Sequence, residues 1–375
     1  MAGEPIPAFE TKEVYVRSFW SCVVEIPGIK PAVTSLLWDF LQTRPPSVRA
    51  IACARFNASV SLTASLKLGV FLPVSGKAAV PEVLSEAAQQ AENLGYDSVW
   101  AAERMVNPWE MKTVYPYKDN QQWFVAPDVP FLEPLTCLAF LSGCTEKVQL
   151  GISVCVLPYR HPLYTARIAT SIDTLSKGRL ILGVGIGWMV EEFDALGVPF
   201  KHRGAMSNEQ LEIFNTLWKE ERPHFEGLHY RFDPVSVSPK PVQKPRFPIW
   251  TGGESEAAQK RAARYGDAWF SYFVKIKPQE LAAKFANVRK LAAEAGRDPA
   301  QVQLCCCRPV EITREPVPQE EDTLKGNPEQ LIAALKRFEE IGVQHMALQF
   351  MVGRWPERKE KIERFAKEVM PAIRR

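Results

Sequence analysis

The tripeptide Thr251-Gly252-Gly253 stands between an apolar run and an alanine-rich stretch of helical character, and it could bind a phosphate group. Backbone N–H groups at the start of a helix, together with the helix dipole, attract anions. Glycine lets such an anion approach the main chain closely. A tight turn before a helix also needs glycine for steric reasons alone, so the tripeptide by itself leaves both interpretations open.

The segment GVGIGW, residues 183–188, places a glycine at every second position. It lacks the full GxGxxG spacing of a dinucleotide-binding turn. Alternating glycines at the end of a strand leave room for a flat ring, which makes Gly185 and Gly187 candidate cofactor-binding residues. Trp188 follows them directly, and we expect its side chain to line a substrate cavity rather than the core.

The neighbours Glu103 and Arg104 follow another apolar run, YDSVWAA. Adjacent charges of this kind are usually a surface ion pair of small energetic consequence. Their position directly after a strand makes them candidate catalytic residues instead. The guanidinium of Arg104 stays protonated near neutral pH, so Arg104 would bind an anion or a ring carbonyl rather than act as a base.

These candidates belong to a chain in which short apolar runs alternate with amphipathic stretches, the pattern of βα units around a parallel sheet. From Leu66 onward we predict eight strands: KLGVFLP, YDSVWAA, VQLGISVCVL, LILGVGIG, FPIWTGG, GDAWFS, VQLCCCRPV and HMALQF. The pattern predicts an α/β fold, a (β/α)8 TIM barrel with insertions over its C-terminal face, including residues 221–248. Functional residues of this fold lie at the C-terminal ends of the strands, where all the candidates stand.

Residues 1–65 lack this alternation and are interrupted by prolines and tryptophans. We therefore predict an N-terminal extension of residues 1–65 before a barrel domain of residues 66–375. Three interpretations of the extension stay open: a weakly ordered segment, a small subdomain, or the product of a start codon assigned too far upstream.

Composition excludes several classes of protein. A net charge of +3 from 46 basic and 43 acidic residues forms no basic stripe, so no nucleic-acid partner is expected. The eight cysteines show no CxxC pair, and the five histidines show no i, i+4 pairing, so no metal is expected. No apolar run approaches ~20 residues, and the N-terminus is acidic, so we expect a cytoplasmic protein without a membrane partner.

Several longer segments, taken in order, resemble a known family. They are LGVFLP, LGYDSVWAAER, LGISVCVLPYRHP, DTLSKGRLILGVGIGWMVEEFDALGVPFKHRG and SPKPVQKPRFPIWTGGESEAAQKRAARYGDAWF. Together they resemble the luciferase-like monooxygenase family, and within it most nearly the branch that uses the deazaflavin coenzyme F420. The resemblance is close from Leu66 to about Phe270 and loose beyond it.

The resemblance implies a cofactor, F420 or FMN, and a place for it. The phosphate would lie near Gly252 and Gly253, and the ring would lie over the ends of the second, third and fourth strands. A cis peptide bond between Ser153 and Val154 would support the ring face, which makes both residues candidate cofactor-binding residues.

Two positions depart from the sugar-phosphate dehydrogenases of this family. Those enzymes carry Asp-His where this chain has Glu103-Arg104, and an acid where it has Trp188. A glucose-6-phosphate substrate is therefore not expected. His161 and Arg203 are interpreted as structural. The loop residues Tyr115, Pro116, Tyr117 and Trp123 either pack or form a lid.

The function we expect is hydride transfer between a reduced deazaflavin and a small organic substrate. The first alternative is a monooxygenase that uses O2 and reduced FMN supplied by a separate reductase. The second alternative is a flavin-binding protein without turnover. We also expect a homo-oligomer.

Overall fold

The computed structural model describes residues 65–116, 125–272, 276–319, 323–350 and 354–374. The predicted extension, apart from Ser65, lies outside the described residues, and so do the predicted loop residues Tyr117 and Trp123. Both predictions therefore stay predictions.

Eight parallel strands form a closed barrel. The strands of the described chain are β1 (Lys67–Phe71), β2 (Ser98–Ala101), β3 (Gln149–Val156), β4 (Leu180–Gly185), β5 (Phe225–Glu226), β6 (Arg231–Phe232), β7 (Ile249–Gly252), β8 (Ala268–Tyr272), β9 (Gln303–Ile312), β10 (Leu324–Gly326) and β11 (Val343–Phe350). The order around the ring is β1-β2-β3-β4-β7-β8-β9-β11, and β11 pairs with β1 to close it. The predicted TIM barrel is confirmed, and each of the eight predicted strands corresponds to one strand of the barrel.

Helices surround the barrel. They are α1 (Pro81–Asn93), α2 (Pro134–Ser142), α3 (Pro162–Leu175), α4 (Val190–Ala195), α5 (Arg203–Lys219), α6 (Glu256–Tyr265), α7 (Pro278–Glu294), α8 (Pro328–Glu340), α9 (Trp355–Glu368) and α10 (Met370–Ile373). Proline begins several of them, because a residue at this position has no helical acceptor for its N–H and proline already has the helical φ. None of these helices has the length and apolar character needed to span a bilayer.

The insertion after α5 contacts both ends of the barrel. Residues 221–248 were expected over the C-terminal face, and Tyr230 and His229 lie beside the loops of that end, where their rings contact those of His161 and His202.

The later part of the segment lies at the side and the N-terminal end of the barrel. Lys240 Nζ donates to the carbonyl of Glu220 just after α5, at 2.7 Å. Gln243 Nε2 donates to Asp173 Oδ1 at 2.8 Å and to the carbonyl of Leu180, the first residue of β4, at 2.9 Å. The loop after β2 also reaches the C-terminal end, next to the predicted site.

The barrel interior is filled by aromatic side chains. Trp100 contacts both Trp250 and Phe270, at centroid distances of 5.0 and 5.1 Å. Glycines make room for it: a Cβ on Gly151 would lie 2.4 Å from the Trp100 ring, and one on Gly69 would lie 2.5 Å from its Nε1. The interior is therefore a packed core that closes the barrel below its C-terminal mouth.

The run Cys305 to Cys307 in β9 is confirmed as part of a buried strand. Cys305 and Cys307 pack in the barrel interior, whereas Cys306 packs with the residues that face the helices. All three side chains are fully buried, because both faces of a barrel strand are covered. Burial raises the pKa of the Cys306 thiol to about 11, which keeps it protonated at neutral pH.

The buried His345 predicts how stability depends on pH. Its Nε2 lies 2.7 Å from Ser98 Oγ, and burial, with a smaller effect of the Lys67 charge, lowers its pKa to about 3. Above pH ~6.5 the imidazole is neutral in both the folded and the unfolded chain. Below that pH the unfolded chain binds a proton that the fold excludes, so the free energy of unfolding falls as the pH decreases toward 3. We expect exclusion of this proton by His345 to lower the free energy of unfolding at pH 5 by about 2 kcal/mol relative to neutral pH.

Urea unfolding at several pH values between 8 and 5 measures this effect. His345→Gln should lose the part of the pH dependence that one proton accounts for. Parallel profiles of the parent and the variant over this range would show that His345 takes up no proton on unfolding.

Candidate functional site

The predicted site residues lie at one end of the barrel. Glu103 and Arg104 follow β2; Ser153 and Val154 lie in β3; Gly185, Gly187 and Trp188 lie at or after the end of β4; Thr251, Gly252 and Gly253 lie at or after the end of β7. Because β2, β3, β4 and β7 are neighbours in that order, their C-terminal ends form one continuous edge. The fold brings the predicted residues together at this edge.

A bulge at the end of β3 sets the position of Val154. The peptide bond between Ser153 and Val154 is cis, as the resemblance implied, and the register with β4 shifts at this point. The Val154 side chain packs on the interior cluster, between the glycines of β4 and β7. A Cβ on Gly185 would lie 2.6 Å from Val154 Cγ2, and one on Gly252 would lie 3.3 Å from Cγ1. Gly185 is therefore needed to accommodate the bulge.

The turn from β7 into α6 depends on Gly253. Its φ is +104°, and a Cβ there would lie 2.9 Å from the Cβ of Ala258. A side chain at this position would be strained as well as crowded. Ser255 caps α6, since its Oγ accepts a hydrogen bond from the Ala258 N–H at 3.3 Å. The turn thus leads into a helix start with no side chain on Gly252 or Gly253, as an anion site requires.

Thr251 faces away from this turn. Trp250 points into the barrel, so strand alternation directs the neighbouring Thr251 side chain toward the helices. Thr251 is 1% exposed, and its Oγ1 would lie 2.9 Å from a Cβ on Gly266. The side chain is therefore turned away from the barrel mouth, and only the main chain of Thr251 is available for its predicted role.

Glu254, directly after Gly253, was not among the predicted site residues. Ser271 Oγ donates to Glu254 Oε1 at 2.6 Å. Burial raises the pKa of the Glu254 carboxyl, while the Ser271 hydrogen bond and the Arg308 charge act in the opposite direction. The acid is visible in the sequence TGGE, but its burial is not. Glu254 therefore places a carboxyl group next to the turn for which phosphate binding is predicted.

The Glu103 side chain is buried rather than exposed in the mouth. Its carboxylate forms an ion pair with Arg160 at 2.7 Å, with side chains 1% and 7% exposed, and it accepts a hydrogen bond from the Val156 N–H. Burial raises the pKa of Glu103, and the Arg160 charge partly offsets this effect. Arg160 also pairs with Glu133 at 2.7 Å. These contacts connect the loop after β2 to the end of β3.

Arg104 pairs with an acid that the sequence did not single out. Its Nη1 donates to Glu192 Oε2, and the two side chains are 7% and 1% exposed. Glu192 also accepts hydrogen bonds from Tyr159 Oη at 2.6 Å and from the Met105 and Val106 N–H groups at 2.6 and 3.3 Å. Glu103 and Arg104 therefore do not pair with each other, and each has its own buried partner.

Trp188 lies against the loop after β2. Its ring centroid is 5.0 Å from that of Tyr115, and the Cζ of Arg104 lies 5.2 Å from the ring centroid. Tyr115 is buried and Trp188 is half-buried. We call Arg104, Tyr115 and Trp188 the Trp188 wall. The sequence predicted a cavity-lining Trp188, but the partners that hold its ring come from the loop.

Glu191, next to Glu192 in α4, binds the far end of the same loop. Its Oε1 accepts from the Lys112 and Thr113 N–H groups at 2.6 and 2.9 Å, and its Oε2 accepts from Thr113 Oγ1 at 2.7 Å. Partial burial would raise the pKa of Glu191, but these hydrogen bonds lower it to about 2. Two consecutive acids of α4 thus hold both ends of the segment 105–113.

The residues interpreted as structural have structural contacts. His161 begins α3, where its Nδ1 accepts from the Leu163 N–H at 3.3 Å. Arg203 donates through Nε to the carbonyl of Gly187 at 3.3 Å and through Nη1 to that of Phe200 at 3.0 Å. Within the described ranges, no three His, Cys, Asp or Glu side chains come together as a metal site would require.

Comparison with known proteins places this site in a family. The family described as luciferase-like monooxygenase matches residues 66–317. An uncharacterized protein of Mycobacterium tuberculosis is 33% identical over 210 residues, which are 56% of this chain and 71% of the relative. The pyrimidine monooxygenase RutA of Allorhizobium ampelinum is 28% identical over 250 residues, which are 62% of this chain and 64% of the relative.

Two solved structures share the fold. An F420-dependent secondary alcohol dehydrogenase, in complex with an F420-acetone adduct, has a TM-score of 0.67 and 20% identity over 83% of this chain and 100% of its own. Monooxygenase RslO1 from Streptomyces bottropensis has a TM-score of 0.67 and 21% identity over 82% of this chain and 99% of its own. The family match covers more than half of the sequence and the whole edge of the barrel described above, and the chain belongs to the luciferase-like monooxygenase family.

Proposed function

We propose that this protein is an oxidoreductase that binds the deazaflavin coenzyme F420 and uses it in its reduced form to transfer a hydride to a small organic substrate. The observation that carries the proposal is the pair of adjoining features at the mouth: the Val154 bulge between Gly185 and Gly252, and the Gly253 turn at the start of α6. The first suits a flat ring and the second suits the phosphate of its side chain.

The residues at the mouth fit a cofactor of this shape. Val154 fills the space beside Gly185, so its side chain offers a surface against which a ring can lie at the strand ends, whereas a Cβ on Gly187 would meet Phe193 and Val156 instead. Ser153 is 2% exposed, and its Oγ has no hydrogen-bond partner among the described residues. A buried hydroxyl in that state costs ~1–3 kcal/mol, so a polar group of a ring would stabilise it. When bound, the cofactor supplies the hydride chemistry.

Glu254 supports F420 over FMN. The phosphate of F420 is a diester with one negative charge, whereas the monoester of FMN carries nearly two at neutral pH. Glu254 follows the Gly253 turn, and burial raises the pKa of its carboxyl, an effect that the Ser271 hydrogen bond and the Arg308 charge partly offset. A carboxylate near the phosphate destabilises bound FMN more than bound F420, because the FMN phosphate carries the larger negative charge.

The other predicted residues take supporting roles in this proposal. Glu103 is a positioning residue, because its carboxylate is occupied by Arg160 and by the N–H of Val156, the last residue of β3. The predicted anion binding by Arg104 is replaced by a role in the Trp188 wall, since its guanidinium already pairs with Glu192. The wall excludes water from one side of the mouth.

A second candidate function is oxygen insertion by reduced FMN delivered from a separate reductase. The relative named pyrimidine monooxygenase favours it, because that protein is 28% identical over 62% of this chain. A cofactor-binding protein without turnover is the third candidate. Measurements of cofactor binding and of turnover distinguish the three candidate functions.

Anaerobic titration with reduced F420 and with reduced FMN tests the proposal. We expect F420 to bind at least about tenfold more tightly, a difference of ~1.4 kcal/mol. Glu254→Gln should narrow this preference by strengthening FMN binding, because it removes the charge that repels the second phosphate charge.

The matched control is Glu294→Gln, which alters an exposed acid at the end of α7, away from the start of α6, where it pairs with Lys290. It should leave the preference unchanged. Tighter binding of FMN than of F420 by the parent would favour the monooxygenase, and binding of neither would overturn the proposed function. Tight F420 binding without reduction of any organic acceptor would favour the third candidate.

A further inference from the structure

Two main-chain carbonyl groups of the turn into α6 are bound by buried side chains. Trp269 Nε1 donates to the carbonyl of Gly253 at 2.8 Å, and Gln259 Nε2 donates to the carbonyl of Glu254 at 3.1 Å. The Trp269 and Gln259 side chains are 0% and 6% exposed. Because a peptide group is planar, a donor that binds its carbonyl also fixes the direction of its N–H.

Both side-chain donors are themselves held by α7. The Trp269 ring is stacked on that of Phe285, with centroids 6.5 Å apart and an angle of 6° between the planes. Gln259 Oε1 accepts from Asn287 Nδ2 at 2.8 Å. Trp269 packs with the residues that face the helices, and Gln259 belongs to α6. The two carbonyl groups are therefore directed toward the helix layer.

The N–H groups of the same two peptide bonds point the opposite way. Both bonds are trans, so N–H is antiparallel to C=O in each. The Glu254 N–H points away from Trp269, and the Ser255 N–H points away from Gln259. Neither N–H has an acceptor among the residues that the structure describes, and Ser255 is exposed. Consecutive N–H groups that point to one side form a concave site for an anion.

We propose that Trp269 and Gln259 are positioning residues of the phosphate site, and that they direct the Glu254 and Ser255 N–H groups toward the phosphate of the cofactor. The proposal rests on the proposed function for the presence of a phosphate at this turn. Donors that are oriented before binding lose little conformational entropy when the anion arrives. Without the two side chains, a turn that contains glycine would rotate its peptide groups more freely, and the donors would have to be ordered on binding.

Two pairs of ligands test the proposal, each with and without a phosphate. One pair is F420 and the deazaflavin alcohol that has the same ring and ribityl chain but no phosphate, and the other is FMN and riboflavin. Trp269→Phe removes the indole N–H and retains an aromatic ring beside Phe285. We expect it to weaken F420 binding about tenfold and to leave binding of the deazaflavin alcohol within about twofold of the parent, by equilibrium titration of the full chain.

Gln259→Met removes the second donor and should also weaken F420 binding more than binding of the deazaflavin alcohol. The matched control is Trp218→Phe. It removes another buried indole N–H, which donates to Thr170 Oγ1 at 3.2 Å, from a ring that is likewise stacked on a phenylalanine, Phe214. The control should leave the ratio of the two affinities unchanged, because a loss of packing alone weakens both ligands alike.

An unchanged affinity ratio in a folded Trp269→Phe or Gln259→Met would overturn the role of that residue, so Gln259→Met remains decisive if Trp269→Phe does not fold. Equal binding of the phosphate-bearing and phosphate-free ligands by the parent would overturn the proposal for both. If the parent prefers FMN to F420, the proposed function fails, but a selective loss of FMN affinity relative to riboflavin in the two variants would still support their roles. Binding of none of the four ligands would overturn both proposals.

Discussion

Replacing Glu192 by alanine should destabilise the protein by about 3–5 kcal/mol, the range measured when one partner of a buried ion pair is removed. The Glu192 side chain is 1% exposed, and its loss would leave the 7% exposed Arg104 side chain without its carboxylate. The same change removes the acceptor for Tyr159 Oη and for the Met105 N–H. Urea unfolding at pH 7 measures the loss.

Two further variants separate the buried charge from the lost contacts. The double change Arg104→Met with Glu192→Leu removes both charges and should recover most of the stability, because no buried charge is left uncompensated. Glu191→Ala removes an adjacent acid that binds loop N–H groups and no buried cation, so it should cost only about 1–2 kcal/mol. A Glu192→Ala variant as stable as the parent would show that the pair contributes nothing to folding.

The barrel could be predicted from the sequence because its signals are local and repeated. Each strand is an apolar run that ends in a turn, and several of the helices between them begin with proline. The start of α5 is different, because this helix begins at Arg203 without a proline. Its first turn is polar and glycine-containing, so periodicity does not mark it.

The location of the site could also be predicted, because a TIM barrel places its working residues at one end of the strands. The contacts within the site could not. Arg104 and Glu192 are 88 residues apart, and nothing in either local sequence specifies the other as its partner. Adjacent charges such as Glu103 and Arg104 suggest a mutual pair, but they separate here because Glu103 pairs with Arg160 and Arg104 pairs with Glu192.

Thr251 is a different case, because its orientation could have been predicted. In a strand whose Trp250 fills the barrel, the next side chain must face the helices. Strand alternation alone therefore argued against a Thr251 side chain in the mouth. The later part of the insertion 221–248 had no comparable signal, since a proline-rich segment without a period does not indicate that it continues to the N-terminal end of the barrel.

Gly253→Asp should weaken binding of the cofactor between about tenfold and a hundredfold. The new carboxylate would lie at the start of α6, where we propose that backbone N–H groups bind the phosphate, and it would repel that group. Loss of one charge-assisted hydrogen bond alone is worth ~1.5–3 kcal/mol. Equilibrium titration with F420 measures the change in affinity.

Steric effects must be separated from charge at this position, because Gly253 has a φ of +104° and a Cβ there would lie 2.9 Å from that of Ala258. Gly253→Ala adds the same Cβ without the charge, so the difference between the two variants reports the electrostatic part. Gly296→Asp adds a charge at another left-handed glycine, where a Cβ would meet nothing within 4 Å, and it should leave affinity unchanged. If Gly253→Asp melts like Gly253→Ala and binds F420 equally well, the phosphate lies elsewhere and the two glycines serve only the turn.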